Sequence, residues 1–279
     1  MDEKIQLSRY IVLGANGFIG LNYVNQISAQ GDEVIAVGRN YISKHKDNYR
    51  SDYPRNSQDL FAEIAGEITD KTTVINAMWV SNQNSNRNSS SHLECAKEEI
   101  TLITKLQKTN VRYLSFGSLA EIDDENISPS RSTVYADAKR TIQQALSESS
   151  LSSFWLRLAS CYGPGDKRDW FITQLISSWY QNKSIEIENP HQIINLCHIQ
   201  NVVDASIDQL QTGAFGTFNL ATKHWLTLEQ IKLAFENLSE PVYTSIKAGP
   251  FSYSDEQTLE VYTPPITSYF AEIKNGQRS

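Results

Sequence analysis

Tyr135 and Lys139 stand four residues apart in the stretch "STVYADAKRTIQQAL". On a helix, positions i and i+4 share a face, so the phenol and the ammonium are expected one turn apart. An ammonium at that range stabilises phenolate and is expected to lower the tyrosine pKa from its ordinary value of about 10, which lets it trade protons near neutrality. Such pairs also arise by chance on amphipathic helices, so the spacing alone leaves a purely structural role open. Ser118 narrows the choice. It closes the apolar run "VRYLSFGS", and a hydroxyl at the carboxyl edge of a sheet strand sits where ligands bind in open α/β sheets. There it can hold a carbonyl or carbinol oxygen while Tyr135 gives or takes the proton.

These three residues need a scaffold that brings strand ends and a helix face together. The first forty residues read as strand, helix, strand: "YIVLGANGFIG" is an apolar run ending in glycines, "GLNYVNQISAQG" spaces Val24, Ile27 and Ala29 helically, and "EVIAVGRN" is apolar again. Further apolar runs follow at "TTVINAMWV", "VRYLSFGS" and "SFWLRLAS", separated by helical patterns such as "HLECAKEEITLITKLQKT". This alternation predicts an α/β fold: a doubly wound parallel sheet of Rossmann type over residues 1–160. From Cys161 the rhythm loosens through "YGPGDKRD" and a helical "WFITQLISSWYQN", which predicts a smaller C-terminal substrate lobe over 161–279, with some segments returning to the sheet. The polar stretch "SNQNSNRNSSSH", Ser81 to His92, reads either as a solvated loop or as a mobile segment beside a site.

Gly14, Gly17 and Gly20 follow the first strand and open the first helix. In that context glycine removes the Cβ that would block backbone approach to a pyrophosphate, and the helix N-terminus offers N–H groups and the positive end of its dipole. A nicotinamide dinucleotide is the implied ligand, supplying hydride exchange at the carbon whose oxygen Ser118 and Tyr135 address. Arg39, at the end of the second strand, stands where NAD-preferring sites usually carry an acid. A guanidinium there can hold a 2′-phosphate, which favours NADP(H), with NAD(H) as the alternative. A solvated surface role for Arg39 remains open, and Lys44 and Lys46 either assist it or belong to a solvated loop.

Composition excludes other classes. The chain has 279 residues with 25 basic against 32 acidic, a formal net charge of −7, and no run of Lys/Arg longer than two, so neither nucleic acid nor an anionic membrane is an expected partner. No apolar stretch is long enough to span a bilayer, and the start "MDEKIQLSRY" lacks the pattern of a signal peptide, so a cytoplasmic protein is expected. Cys95, Cys161 and Cys197 are scattered, without metal-ligand or disulfide spacing, and are expected to be buried thiols; no metal is expected.

The ordered series "GANGFIG", "VINAMW", "SFGSLAE", "YADAK", "LRLASCYGPGD", "LCHIQNVVDA" and "GTFNLAT" resembles the extended short-chain dehydrogenases/reductases of the NAD-dependent epimerase/dehydratase type, which act mostly on nucleotide-activated sugars. The resemblance runs over nearly the whole chain. It implies a catalytic set of Ser118, Tyr135 and Lys139, with Lys139 also holding the nicotinamide ribose. It assigns Gly14, Asn16, Gly17, Phe18, Ile19, Gly20, Arg39 and Asn40 to the cofactor, and places Ala77 and Met78 near its middle. The segment after Arg157 would border the nicotinamide, and Arg168, Asp169 and Trp170 are implied substrate contacts. A homodimer through two helices, one bearing Tyr135, is also implied.

Departures from the family pattern narrow the reaction. Sugar-nucleotide 4,6-dehydratases resemble "STDEVYG" or "TSELYG" where this chain has "GSLAEID": Leu119 and Ala120 follow the serine, leaving Glu121 alone as an uncertain base, and Ile122 and Asp123 replace the aromatic-glycine end. Dehydration is disfavoured. The usual "HVDD" becomes "HIQN", so His198 is expected to pack structurally rather than touch substrate. Because a net reductase must exchange its cofactor whereas an epimerase retains NAD, Arg39 favours NADPH-dependent reduction of a nucleoside-diphosphate 4-keto-6-deoxy sugar, in deoxysugar synthesis for bacterial surface polysaccharide. The alternatives are an NAD-dependent nucleotide-sugar 4-epimerase and a non-catalytic NADP-binding regulator.

Overall fold

A computed structural model of the chain describes residues 8–38, 49–50, 57–79, 87–122, 133–213, 215–222, 225–237, 257–260 and 266–276. The strands are β1 (Arg9–Leu13), β2 (Glu33–Val37), β3 (Tyr49–Arg50), β4 (Thr72–Asn76), β5 (Arg112–Ser118), β6 (Ser152–Leu158), β7 (Ser160–Tyr162), β8 (Ile193–His198), β9 (Gly216–Ala221), β10 (Trp225–Thr227) and β11 (Gln257–Glu260). The helices are α1 (Phe18–Gln30), α2 (Ser57–Ile64), α3 (Ser91–Leu106), α4 (Val134–Glu148), α5 (Phe171–Tyr180), α6 (Ile199–Thr212), α7 (Leu228–Asn237) and α8 (Ile266–Lys274).

The inner strands are apolar runs rather than alternating patterns. Four consecutive residues are buried in β1 and in β2, and all five in β4. Such strands need cover on both faces. Tyr10, Val12, Ala36, Ile75, Leu114 and Phe116 pack with Tyr23, Val24 and Ile27 of α1 and Val202, Val203 and Ile207 of α6. On the opposite face Ile11, Leu13, Val37, Val74, Tyr113 and Trp155 meet α2, α3 and α4 through Leu60, Leu102, Ile103, Ala138 and Ile142. The result is a doubly wound, Rossmann-type sheet.

Among the described residues eight parallel strands run in the order β11-β9-β6-β5-β4-β1-β2-β3. The chain moves outward from β1 to β3 and then returns to the other side of β1 at β4. Loops leaving β1 and β4 therefore diverge and open a crevice at their carboxyl ends. Beyond residue 160, α6, β9 and β11 rejoin this sheet system, whereas β7, β8 and β10 form a separate three-stranded sheet. That second sheet shares a core with α5, α7 and α8, built on Tyr162, Leu175, Leu196, Ile231, Phe235 and Phe270. No described helix is long and apolar enough to cross a membrane.

Candidate active site

The crevice begins at the turn after β1. Gly14 has φ +76, and its backbone lies so close to the next strand's exit that a Cβ would come within 2.8 Å of the Ala77 carbonyl carbon. A Cβ on Gly20 would meet the Gly14 carbonyl oxygen at 2.3 Å, so the turn cannot accept side chains at these points. The N–H groups of Gly14 and Ala15 both donate to the Val37 carbonyl, at 2.9 and 3.0 Å, which ties the turn to β2. Helix α1 then starts at Phe18 and Ile19 with no side-chain cap and no acidic residue in its first turn. Its first N–H groups and its dipole thus suit an anion such as a dinucleotide diphosphate. Gly38 leaves the space that the Asn16 amide fills, since a Cβ there would overlap its Oδ1. Arg39, Asn40, Lys44 and Lys46 lie outside the described residues.

Ser118 ends β5, and Tyr135 and Lys139 lie on successive turns of α4, whose start is capped by Thr133 Oγ1 accepting from Ala136 N at 3.1 Å. The Ser118 hydroxyl lies close enough to the Tyr135 phenol to favour its ionisation, so two hydroxyls separated in sequence come together at the sheet edge. Lys139 is buried, 5% exposed, and donates to the Phe116 carbonyl at 2.7 Å. Its ammonium also sits over the Trp79 ring, 3.5 Å from the centroid. Burial lowers the Lys139 pKa, partly offset by the negative charges of Glu99 and Glu121. Contrary to the expectation from spacing, the Tyr135 pKa is raised. Burial dominates, and the nearby Ser118 hydroxyl together with the charges of Arg87 and Arg168 only partly offsets it, while Glu121 adds to the rise. Lys139 shares the helix face, and its ammonium is held between the Phe116 carbonyl and the Trp79 ring.

Glu121 is a structural group. Its side chain is fully buried, with Oε1 accepting from Ser118 N at 2.5 Å and Oε2 from Trp155 Nε1 at 2.9 Å and Arg157 Nε at 3.0 Å. It thereby fixes the backbone of Ser118 to β6. Gly117 makes this approach possible, because a Cβ there would lie 2.2 Å from Glu121 Oε1. Beneath the site, Glu99 on α3 is 3% exposed and accepts from Ser115 Oγ at 2.5 Å and Tyr113 Oη at 3.1 Å. The sequence did carry a sign of Glu99: a carboxylate on the stripe Ala96, Ile103, Leu106 occupies a core position of an amphipathic helix.

Of the two readings of the polar stretch before α3, the described residues favour the one that puts it beside the site. Residues 80–86 lie outside the described residues, but Ser91 and His92 are helical, and His92 is buried rather than part of a solvated loop. Its ring stacks on Trp79, with centroids 5.7 Å apart, and meets Tyr135 edge-on at 5.2 Å. The Arg87 carbonyl accepts the Tyr135 N–H at 2.8 Å, so this segment borders the site. Of the cysteines, Cys161 and Cys197 are buried, while Cys95 is only half-buried.

Arg168 reaches back from the C-terminal lobe to the glycine turn, its guanidinium 4.7 Å from the Phe18 ring. Asp166 pins it through Nε at 2.8 Å and Nη2 at 2.7 Å, the Cys161 carbonyl accepts a further bond, and the same Asp166 carboxylate takes the Trp170 indole N–H at 2.8 Å. Asp169 accepts from Gln174 at 2.9 Å. Lys167, Arg168, Asp169, Thr173 and Gln174 line an open groove of about 390 Å³ that runs along α5. His198 packs against Tyr162 and Tyr269, at centroid distances of 5.3 and 5.8 Å, and caps α6 through Nδ1.

Comparison with known proteins agrees with this layout. Residues 10–221 match the family model described as the NAD dependent epimerase/dehydratase family. A dTDP-4-dehydro-6-deoxy-D-allose reductase of Streptomyces bikiniensis is 23% identical over 286 aligned positions, covering 86% of this chain and 84% of that protein. Among solved structures, a UDP-N-acetylglucosamine 4-epimerase from Bacillus cereus superposes with a TM-score of 0.72 at 14% identity, covering 98% of this chain and all of that one. MoeE5 in complex with UDP-glucuronic acid and NAD gives 0.74 at 18%, covering 97% and 99%. The match over the glycine turn, the Ser118 strand and the Tyr135 helix shows that this chain belongs to the NAD dependent epimerase/dehydratase family and is an enzyme of NAD(P)-dependent oxidoreductase type.

Proposed function

We propose that the chain is an NADPH-dependent reductase acting on a nucleoside-diphosphate 4-keto-6-deoxy sugar, in the making of deoxysugars for bacterial surface polysaccharide. The observation that separates this reading from a dehydratase is the state of Glu121. Its carboxylate is engaged by Ser118 N, Trp155 and Arg157, so the described residues beside Ser118 and Tyr135 hold a proton donor for a carbonyl oxygen but no free acid and base to expel water. The reductase relative supports the same direction, as does the position of Arg39 for a 2′-phosphate.

A bound nicotinamide would supply the hydride. Ser118 holds the sugar carbonyl oxygen, and Tyr135 delivers the proton to it. The raised Tyr135 pKa keeps the phenol protonated at neutrality, as a donor must be. Lys139, fixed by the Phe116 carbonyl, lends positive charge as the phenol gives up its proton. Arg168, which lines the groove along α5 and reaches the Phe18 ring, offers with Lys167 positive charge for the nucleoside diphosphate. A non-catalytic sensor would need the glycine turn but none of this proton-transfer set.

The test follows reduced-nicotinamide absorbance while the protein meets NADPH or NADH and a panel of nucleoside-diphosphate 4-keto-6-deoxy sugars. NADPH consumption that drops about 10²–10⁴-fold in Tyr135→Phe establishes the reductase. No consumption with any sugar, together with NAD released on denaturation, assigns the 4-epimerase instead. The homodimer through α4 belongs to the same proposal, and a purely monomeric sedimentation profile would remove it.

A further inference from the structure

Trp79 lies where the two halves of the site meet. It follows Ala77 and Met78, whose backbone crowds Gly14 at the diphosphate end. Its ring faces the reacting end: the Lys139 ammonium is 3.5 Å from its centroid, Tyr135 meets it edge-on at 5.7 Å, and His92 stacks on it at 5.7 Å. Packing and cation–π contact use only the ring, and phenylalanine would serve for both. The indole N–H is not used. Trp79 Nε1 is buried and has no hydrogen-bond acceptor, although a buried indole N–H ordinarily finds one and is costly to leave unmade.

In a dinucleotide, the unit between the diphosphate and the nicotinamide ring is a ribose, which carries two hydroxyl oxygens. We propose that Trp79 is a positioning residue: its indole face holds the Lys139 ammonium in place, and its N–H donates to a hydroxyl oxygen of the ribose on the nicotinamide side. This inference rests on the dinucleotide reading of the site but not on the identity of the sugar. It makes Trp79 and Lys139 a two-point clamp on one ribose, the first directional and the second charged.

The experiment titrates the full chain and its Trp79→Phe and Trp79→Leu variants with NADPH, with NADH and, separately, with 2′-phospho-ADP, which lacks the nicotinamide riboside. Binding is followed by calorimetry, and thermal melting checks each fold. Trp79→Phe keeps a ring beside Lys139 but removes the N–H, and is expected to weaken NADPH about 3- to 10-fold, the loss for one neutral hydrogen bond, while leaving 2′-phospho-ADP unchanged. Trp79→Leu removes the ring face as well and weakens NADPH further, again sparing the fragment. NADPH bound by Trp79→Phe as tightly as by the parent chain overturns the inference, and so does equal weakening of both ligands. If the parent chain binds neither NADPH nor NADH, the dinucleotide reading falls together with the clamp. If it binds NADPH with the selective Trp79 effect yet reduces no sugar, the clamp stands and only the reductase reading falls.

Discussion

Replacing Glu121 with glutamine changes one atom of a side chain that holds three donors, and it separates a structural carboxylate from a catalytic one. Ser118 N, Trp155 Nε1 and Arg157 Nε all converge on Glu121, whose side chain is 0% exposed, with Arg157 11% exposed. Glutamine keeps the volume but turns an N–H₂ towards donors and leaves the Arg157 charge without its counter-charge. Breaking one side of a buried ion pair costs about 3–5 kcal/mol, a large share of the roughly 5–15 kcal/mol that holds a folded chain together. At about 2–4 °C per kcal/mol for a chain of this size, the melting temperature should fall by about 6–20 °C. Calorimetric melting of Glu121→Gln checks this, and the paired change Glu121→Gln with Arg157→Met should recover part of the loss, because no buried charge is then left unpaired. Activity in Glu121→Gln should fall only as far as Ser118 is displaced. A variant that melts within about 1 °C of the parent while kcat drops by about 10² or more would refute the reasoning and make Glu121 a proton-transfer group.

Other perturbations probe the rest of the site. Burial raises the Glu99 pKa, with the Lys139 charge and the bonds from Ser115, Tyr113 and Asn76 only partly opposing it. The folded chain therefore binds a proton that the unfolded chain has released above its ordinary pKa of about 4.3, so this contribution is fully present below that pH and is lost as pH rises through the raised value. Glu99→Gln should remove that decline, and melting curves of the two forms that run parallel across the window would count against it. Gly20→Ala places a methyl 2.3 Å from the Gly14 carbonyl oxygen, so it should reduce stability by about 1–3 kcal/mol and weaken dinucleotide binding together, readable by melting and titration. Arg39→Ala should cost NADPH about 10- to 100-fold in affinity, the loss of a charge-assisted contact, while NADH changes little; equal effects on both would place Arg39 away from the 2′-phosphate.

Local sequence determined a good part of this protein. The alternation of apolar runs with helical spacing announces the doubly wound sheet, because each strand and helix is set by the burial of its own residues. Gly14 and Gly20 announce the turn because a Cβ there would strike backbone only a few residues away in sequence or on the adjoining strand. The i, i+4 spacing places Tyr135 and Lys139 on one face of α4 for the same short-range reason. Tertiary structure alone decided what those side chains do. Whether Glu121 was a base or an anchor depended on Arg157, 36 residues on, which reaches it only through the parallel register that sets Gly117 beside Arg157. A slip of one residue would turn Arg157 to the other face of the sheet. The Tyr135 pKa was misjudged from spacing because burial outweighs the neighbouring charges, and burial depends on the whole packed edge. Trp79, the aromatic of "NAMWV", became part of the site only when β4 and β5 paired and carried it over Lys139.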